Sequence, residues 1–310
     1  MGHVNITAPG MITGEFAQLP VARGRRAPAR SREGVLVQRG LEASLISREQ
    51  AGYFEIAGAH LYTVLHEVAD PLARVLLVGA FASERHSSYT PWVRWARYLS
   101  ERGIECLRYD YRGIGESTGV FEELSFDDWS EDVEVLAGWL QSRSPEVPLV
   151  LHGLEVGALL ANKAFVAGLG DALLAWAPPN SANEVLRSAL LRRIAVDNMF
   201  RSGDQRKKLP EYLQQLETEH IEVDGYRWSN KLWRDSFHLE LAVGIEDSAS
   251  AVSSTTRPVR MVPLNQTAEP LVKGSMYRSI NPDLSELFAD NFGWIAAAMA
   301  DQGGNHGLSH

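Results

Sequence analysis

Several residue patterns are missing from the sequence, and each absence excludes a class of protein. The 310 residues include one cysteine, Cys106, which excludes an internal disulfide framework and a cysteine-rich metal site. No segment has about 18 uncharged apolar residues in a row, so no transmembrane helix is expected. The net charge of −9 argues against a nucleic-acid partner and against binding to an anionic membrane surface.

Residues 1–50 differ in composition from the rest of the chain. They carry seven arginines and four glutamates but neither lysine nor aspartate, which gives this segment a net charge of +3. We expect a flexible basic arm that lies over the surface or on a partner subunit; a dimerisation arm and a targeting signal are the alternatives. The long apolar run that a secretory signal needs is missing, so a cytoplasmic location is predicted.

From about residue 53 onward, apolar runs of strand length alternate with helical patterns. Strands are predicted as a hairpin within 53–66 and then at 74–79, 104–109, 148–152, 172–177 and 258–264, with a short last strand at Leu271-Val272. Helices are expected from Pro91 to Leu99, from Asp127 to Leu140, after Gly157, and from Leu284 to Ala300. Repeated strand–helix–strand units predict an α/β fold with a mostly parallel sheet covered on both faces.

About 80 residues separate the strand at 172–177 from the strand at 258–264. They contain helical stretches at 183–200, 205–219 and 228–241, so we interpret them as a cap over the carboxyl edge of the sheet, where α/β proteins bind ligands. The predicted organisation is an arm (1–50), a first core part (51–179), a helical cap insertion (180–256), a second core part (257–302) and a disordered tail (303–310).

Two stretches resemble signature segments of the α/β-hydrolase superfamily. One is the loop from Arg108 to Ser117, and the other is the turn Gly153-Leu154-Glu155-Val156-Gly157 between a buried strand and a helix of small residues. Within the superfamily the chain is similar to serine-aminopeptidase-type and exosortase-associated hydrolases, because Phe81-Ala82 with Glu84 resembles their oxyanion loop. The resemblance implies the α/β-hydrolase fold over roughly residues 53–300, with helices on both faces and a helical cap insertion.

The catalytic residues that this resemblance implies are absent. The superfamily holds a nucleophilic serine on a strained turn, Gly-x-Ser-x-Gly, but this chain has Glu155 at that position. No histidine occurs between Leu239 and Asn305, the region that includes the loop after the last strand. The expected acid is replaced by Asn265-Gln266-Thr267, with Glu269 the nearest carboxylate. A Ser–His–Asp mechanism is therefore excluded, because the turn has no serine to be activated by a base.

Three interpretations of Glu155 remain. It can act as a nucleophile, although its side chain is one methylene longer than the aspartate of relatives that form an ester intermediate. It can act as a general acid or base, since a partly desolvated carboxyl group at a helix N-terminus can move a proton. Or it forms an ion pair with Arg85 or Arg112 in an inactive site.

The remaining candidates surround the same edge of the sheet. The backbone N–H groups of Phe81 and Val156 match the positions of an oxyanion hole, which is a backbone device that can outlast the triad. His86 is a second catalytic candidate, because it lies on the loop predicted at 79–89. His152, before the turn, and His238, in the cap, are candidates for the pocket, each with packing as the ordinary alternative.

The sequence thus supports two functions. The first is an enzyme that uses Glu155 as general acid or base on a small, largely apolar carbonyl or ester compound. The second is an inactive homologue that binds a ligand or partner. Gly113-x-Gly115 lacks the third glycine of a dinucleotide loop and no metal-ligand spacing occurs, so we expect no cofactor and no metal. The expected partner is a small molecule, and a homodimer through the arm or cap stays open.

Overall fold

A computed structural model describes residues 48–242, 257–264 and 283–303 of the chain. The predicted last strand at Leu271-Val272, the replaced acid at 265–269 and the loop expected to lack histidine lie outside these residues. Residues 1–47 of the predicted arm and residues 304–310 of the predicted tail also lie outside them.

Within the described residues, a central sheet has seven strands in the order β1-β2-β4-β3-β5-β6-β9. Strand β2 pairs antiparallel with both β1 and β4, and the other neighbouring strands of the sheet pair parallel. The strands are β1 (Arg48–Ile56), β2 (Ala59–Glu67), β3 (Ala73–Val78), β4 (Ile104–Tyr109), β5 (Leu149–Leu154), β6 (Ala172–Trp176) and β9 (Val259–Val262). The mostly parallel sheet predicted from the sequence is confirmed.

Helices follow the parallel strands and cover both faces of the sheet. They are α1 (Glu84–Ser100), α2 (Phe126–Arg143), α3 (Val156–Val166), α4 (Ala182–Met199), α5 (Leu209–Thr218), α6 (Asn230–Asp235) and α7 (Ser285–Gly303). Short 3₁₀ helices occur at Phe121–Glu123, Gly203–Gln205 and Ser236–His238. In the described part of the chain, no helix combines the length and apolar character that crossing a membrane requires.

Two apolar cores lie on opposite faces of the sheet because side chains alternate along each strand. Leu76 of β3 packs in the core beneath α2 and α3, whereas its neighbours Val75 and Leu77 pack in the core beneath α1 and α7. The central strands are buried along their whole length, as expected for parallel strands covered on both sides. Both cores hold the carboxyl ends of β3 and β5 in fixed positions.

Helix α1 begins earlier than the sequence pattern predicts. Proline is common at the first helical position, so Pro91 favoured a helix start at that residue. The structure instead starts α1 at Glu84 and contains Pro91 in its interior. Arg85 and His86 therefore lie in the first turn of a helix, and their predicted place on a loop is wrong.

The segment between β6 and β9 contains a β-hairpin as well as helices. Strands β7 (Ile221–Val223) and β8 (Tyr226–Trp228) pair antiparallel across the turn Asp224-Gly225, and α6 follows them directly. The single helix expected at 228–241 is therefore wrong in its bounds. This segment packs on loops at the carboxyl edge of the sheet, where the ring centroids of Tyr226 and Phe121 are 4.8 Å apart.

The N-terminus of α3 packs so closely on the end of β3 that Gly157 is required there. A Cβ atom on Gly157 would lie under 3.0 Å from the carbonyl oxygens of Val78 and Gly79. We expect Gly157→Ala to lower the free energy of unfolding by about 3 kcal/mol, since backbone on both sides must move. Urea unfolding measures this change.

Gly138, inside α2, provides the matched control, because a Cβ there meets nothing within 4 Å. Gly138→Ala should raise the free energy of unfolding by about 1 kcal/mol through a better helix propensity. Equal effects of the two substitutions would contradict the proposed close contact at Gly157.

Candidate functional site

Glu155 occupies a strained turn between the end of β5 and the start of α3. Its backbone has φ 55° and ψ −124°, a conformation that L-residues rarely adopt. The Glu155 N–H donates to the Trp176 carbonyl oxygen at 2.9 Å, and its own carbonyl accepts from Ala158 at 2.9 Å. This geometry is that of a nucleophile elbow, and it presents the side chain above the carboxyl edge of the sheet.

The carboxyl group of Glu155 is bound by one of the two backbone amides expected to form an oxyanion hole. The Val156 N–H donates to Oε2 of Glu155 at 2.7 Å. The Phe81 amide favours the ionised form of the same carboxyl group and so lowers its pKa. The side chain therefore fills the position where the Val156 amide would bind the oxygen of a substrate. Glu155 is 6% exposed, so this hydrogen bond is largely shielded from water.

Burial raises the pKa of Glu155 to about 7. The hydrogen bond from Val156 acts in the opposite direction, since it favours the ionised carboxylate. The charge of Glu84 raises the pKa further, whereas Arg192 and the Phe81 amide lower it. The group therefore exchanges its proton close to neutral pH, where a general acid or base is most effective.

Three charged residues from different elements meet beside Glu155. Nη2 of Arg192, on α4, lies 3.6 Å from a carboxylate oxygen of Glu84 and 3.6 Å from one of Asp224. The Ser83 hydroxyl donates to Asp224 at 3.4 Å. Burial raises the pKa of Glu84 as well. The sequence analysis identified Glu84 only as part of an oxyanion-loop motif. No local pattern indicated that Arg192 lies near the site, because it follows Glu155 by 37 residues in the chain.

Neither arginine predicted as an ion-pair partner binds Glu155. Nη2 of Arg85 lies 2.6 Å from Oδ1 of Asp110. Nε of Arg112 lies 2.7 Å from Oδ1 of Asp132. The interpretation of Glu155 as the partner of Arg85 or Arg112 is therefore wrong, because Arg85 pairs with an aspartate of the loop after β4 and Arg112 pairs with an aspartate of α2.

His152 is buried in β5 and serves packing. Its Nδ1 lies 2.9 Å from the Leu174 carbonyl oxygen, and burial lowers its pKa to about 3, so the ring is neutral. Three indole rings surround it, those of Trp92, Trp95 and Trp176.

The two other candidate histidines are exposed. His86 is exposed in the first turn of α1. His238 is exposed in the 3₁₀ helix after α6, where it borders an open depression of about 280 Å³ together with Ser125, Asp127, Lys231, Arg234 and Asp235. Glu155 does not line this depression or the smaller cavity of about 30 Å³ beside Arg85.

The loop after β4 supports the site rather than contributing reactive groups. The Tyr111 hydroxyl donates to the Gly79 carbonyl oxygen at 2.6 Å, just before the amide of Phe81. Burial, and then the nearby charge of Glu155, raise the pKa of Tyr111, so its phenol stays protonated. The Ser117 hydroxyl donates to the Asp110 carbonyl oxygen at 2.6 Å. Across residues 48–242, 257–264 and 283–303, no cluster of three or more His, Cys, Asp or Glu suits a metal ion.

The fold and the elbow can now be compared with known proteins. The sequence model of a family described as serine aminopeptidase, S33, matches residues 70–195, which span β3 to β6 and most of α4. Over these residues the chain is similar to that family, and the described residues have the α/β-hydrolase fold.

Solved structures agree with this α/β-hydrolase assignment. Est1E from Butyrivibrio proteoclasticus, determined with ferulic acid bound, has a TM-score of 0.53 and 16% sequence identity. The match covers 80% of this chain and 99% of Est1E. The α/β hydrolase GrgF from Penicillium sp. sh18 has a TM-score of 0.51 and 16% identity, over 82% of this chain and 99% of GrgF.

Among curated proteins, the human protein ABHD12B is 29% identical over 89 residues. These residues are 29% of this chain and 24% of ABHD12B, so the chain matches only about a quarter of that relative's length. The α/β-hydrolase fold predicted from the sequence is confirmed.

The pKa of Glu155 predicts how stability depends on pH. Below its ordinary value of 4.5 the carboxyl group is protonated in both states. Between pH 4.5 and about 7 only the unfolded chain releases the proton, so the contribution of Glu155 to the free energy of unfolding falls. Above about pH 7 the folded chain releases it too, and the contribution falls no further. The total decrease in the free energy of unfolding is about 3 kcal/mol.

Glutamine has no titratable proton, so the free energy of unfolding of Glu155→Gln should not show this decrease. Relative to the wild type, it should rise by about 3 kcal/mol between about pH 4 and about pH 8. Urea unfolding of both proteins at the two pH values measures the difference. A stability difference that is the same at both values would mean that the pKa of Glu155 is not raised.

Proposed function

We propose that the chain is an enzyme in which Glu155 acts as general acid or base on a small, largely apolar carbonyl or ester compound. The observation that carries this proposal is the buried carboxyl group on the elbow, which accepts a hydrogen bond from the Val156 amide and has a pKa of about 7. Such a group is present in both protonation states near neutral pH. It can therefore accept a proton in one step and return it in another.

The proposed chemistry needs no covalent intermediate. In hydrolysis, the ionised carboxylate accepts a proton from a water molecule while the water oxygen attacks the carbonyl carbon, and Glu155 then returns the proton to the alkoxide that leaves as the C–O bond breaks. In isomerisation, the carboxylate accepts the proton from the carbon next to the carbonyl group and returns it to another carbon; in elimination, it returns the proton to the leaving group as its bond to carbon breaks. The substrate oxygen then takes the hydrogen bonds of Val156 and Phe81, which become available when the carboxyl group turns toward the substrate.

An aromatic cluster next to the site supports an apolar substrate. The centroid of the Phe81 ring lies 4.7 Å from that of the Trp129 ring and 6.0 Å from that of the Phe121 ring. Phe121 in turn contacts Tyr226 of the segment between β6 and β9. We interpret this segment as the cap of the site, as the sequence predicts.

A second function has its own supporting observation. Because the Glu155 carboxyl group already accepts from the Val156 amide, it takes the place of the oxygen that an acyl substrate would present. An inactive homologue that binds a ligand or partner needs no reactive group at this position. The enzyme is favoured because the raised pKa of about 7 has a use in proton transfer.

Glu155→Gln tests the enzymatic proposal. Probes are p-nitrophenyl acetate and p-nitrophenyl butyrate for hydrolysis, and 2-butanone in D₂O for proton exchange followed by NMR. The wild type should show a pH–rate profile with an inflection near 7, the pKa of Glu155. Glu155→Gln should lower kcat by about 10²- to 10⁴-fold while KM changes little, since only the proton transfer is lost.

His220→Ala is the matched control, because His220 is exposed shortly after α5 and has no part in the proposed reaction. Its kcat should stay within about twofold of the wild type. Wild-type-like turnover by Glu155→Gln contradicts the acid–base role. Saturable binding of these probes without any turnover supports the second function instead.

A fluorophosphonate probe gives an independent test of the elbow. Neither the wild type nor Glu155→Ser should be labelled, because a serine at position 155 has no histidine between Leu239 and Asn305 to activate it. Labelling is detected by mass spectrometry. A labelled serine in the wild type would show that a conventional nucleophile operates elsewhere in the chain.

A further inference from the structure

The C-terminal half of α4 exposes large apolar side chains to solvent. Met199 is 76% exposed and Phe200, which caps the helix, is 86% exposed. Leu191 and Val196, in the same ten residues, are also exposed. Scattered single apolar residues on a surface are ordinary, but a cluster of this kind marks a surface that contacts an apolar phase or a partner.

These side chains form two neighbouring rows along one side of the helix. Leu191, Ala195 and Met199 follow each other at intervals of four residues, and so do Val196 and Phe200. Residues at this spacing lie on the same helix face. The opposite face of α4 is buried against the rest of the protein through Leu186, Leu190 and Ile194. Helix α4 is therefore apolar on both sides, and only one side is covered by the fold.

Basic residues surround the exposed rows. Residues 187–208 contain seven arginines and lysines and two aspartates, a local net charge of +5 in a chain whose total is −9. One of the aspartates, Asp197, lies 3.3 Å from Arg193 and also accepts from the Tyr212 hydroxyl. The total charge of the chain, which argues against an anionic surface, thus does not describe this segment.

The local charge decides between possible occupants. A second copy of the chain that docks through the same patch would bring two segments of +5 together, which is unfavourable. The N-terminal segment 1–50 carries +3 and is repelled in the same way. An anionic lipid surface offers an apolar interior for Met199 and Phe200 and phosphate groups for the arginines and lysines.

We propose that the exposed face of α4, with the basic residues of 187–208, binds the surface of an anionic lipid bilayer. Helix α4 lies in the plane of the interface, with Leu191, Val196, Met199 and Phe200 at the boundary of the acyl chains. Arg187, Arg206 and Lys208, which are exposed beside the patch, contact the lipid phosphates. This proposal rests on surface composition and is independent of the reaction at Glu155.

Co-sedimentation of the full chain with vesicles tests the proposal. One set of vesicles is phosphatidylcholine alone, and the other contains phosphatidylglycerol at about 30% of the lipid. Binding to the anionic vesicles should be at least about tenfold tighter, and high salt should weaken it. The double variant Met199→Asp with Phe200→Asp should bind these vesicles at least about tenfold more weakly, with an unchanged far-UV circular dichroism spectrum.

Leu72→Asp is the matched control, since Leu72 is 70% exposed but lies on the loop between β2 and β3. It should bind the anionic vesicles like the wild type. The proposal is overturned if the wild type does not bind them, or if Leu72→Asp loses binding as the double variant does. A wild-type dimer that Met199→Asp with Phe200→Asp converts to a monomer, without vesicle binding, would assign the patch to a second copy.

Discussion

The candidate site depends on the close backbone contact between the N-terminus of α3 and the end of β3. Gly157 allows this approach because a side chain there would clash with the carbonyl oxygens of Val78 and Gly79. The contact brings the amides of Val156 and Phe81 to a common point, although the two residues are 75 positions apart in the chain. Any hydrogen-bond acceptor at this point gains two donors that need no rearrangement.

Glu155 supplies that acceptor from within the protein, and this choice determines the chemistry of the site. A buried carboxylate is costly unless hydrogen bonds or an opposite charge compensate it. The Val156 amide, with weaker contributions from Arg192 and the Phe81 amide, compensates only in part, so the proton is retained up to about pH 7. A direct arginine pair would have compensated the charge more fully and kept the group ionised.

The sequence predicts the parts of the fold and site that depend on local patterns. Strand–helix alternation predicted the sheet, and the resemblance of Gly153–Gly157 to the turn of the α/β-hydrolase superfamily implied the elbow together with the Val156 amide. The sequence did not predict the partners of the side chains. Its pattern placed the start of α1 at Pro91 and Arg85 on the loop before it, whereas Arg85 lies in the first turn of α1 and pairs with Asp110. The hairpin at Asp224-Gly225 was also missed, although Asp-Gly is a strong turn signal.

Helix α4 connects the interior of the site with the outer surface, and Arg192 is the residue that takes part in both. It begins the row that continues through Val196 and Phe200, and its charge lowers the pKa of Glu155. A negative charge placed close to Arg192 weakens this effect, so the pKa of Glu155 rises. Glu84 and Asp224 already place such charges 3.6 Å from Arg192, so burial remains the main influence on the protonation of Glu155.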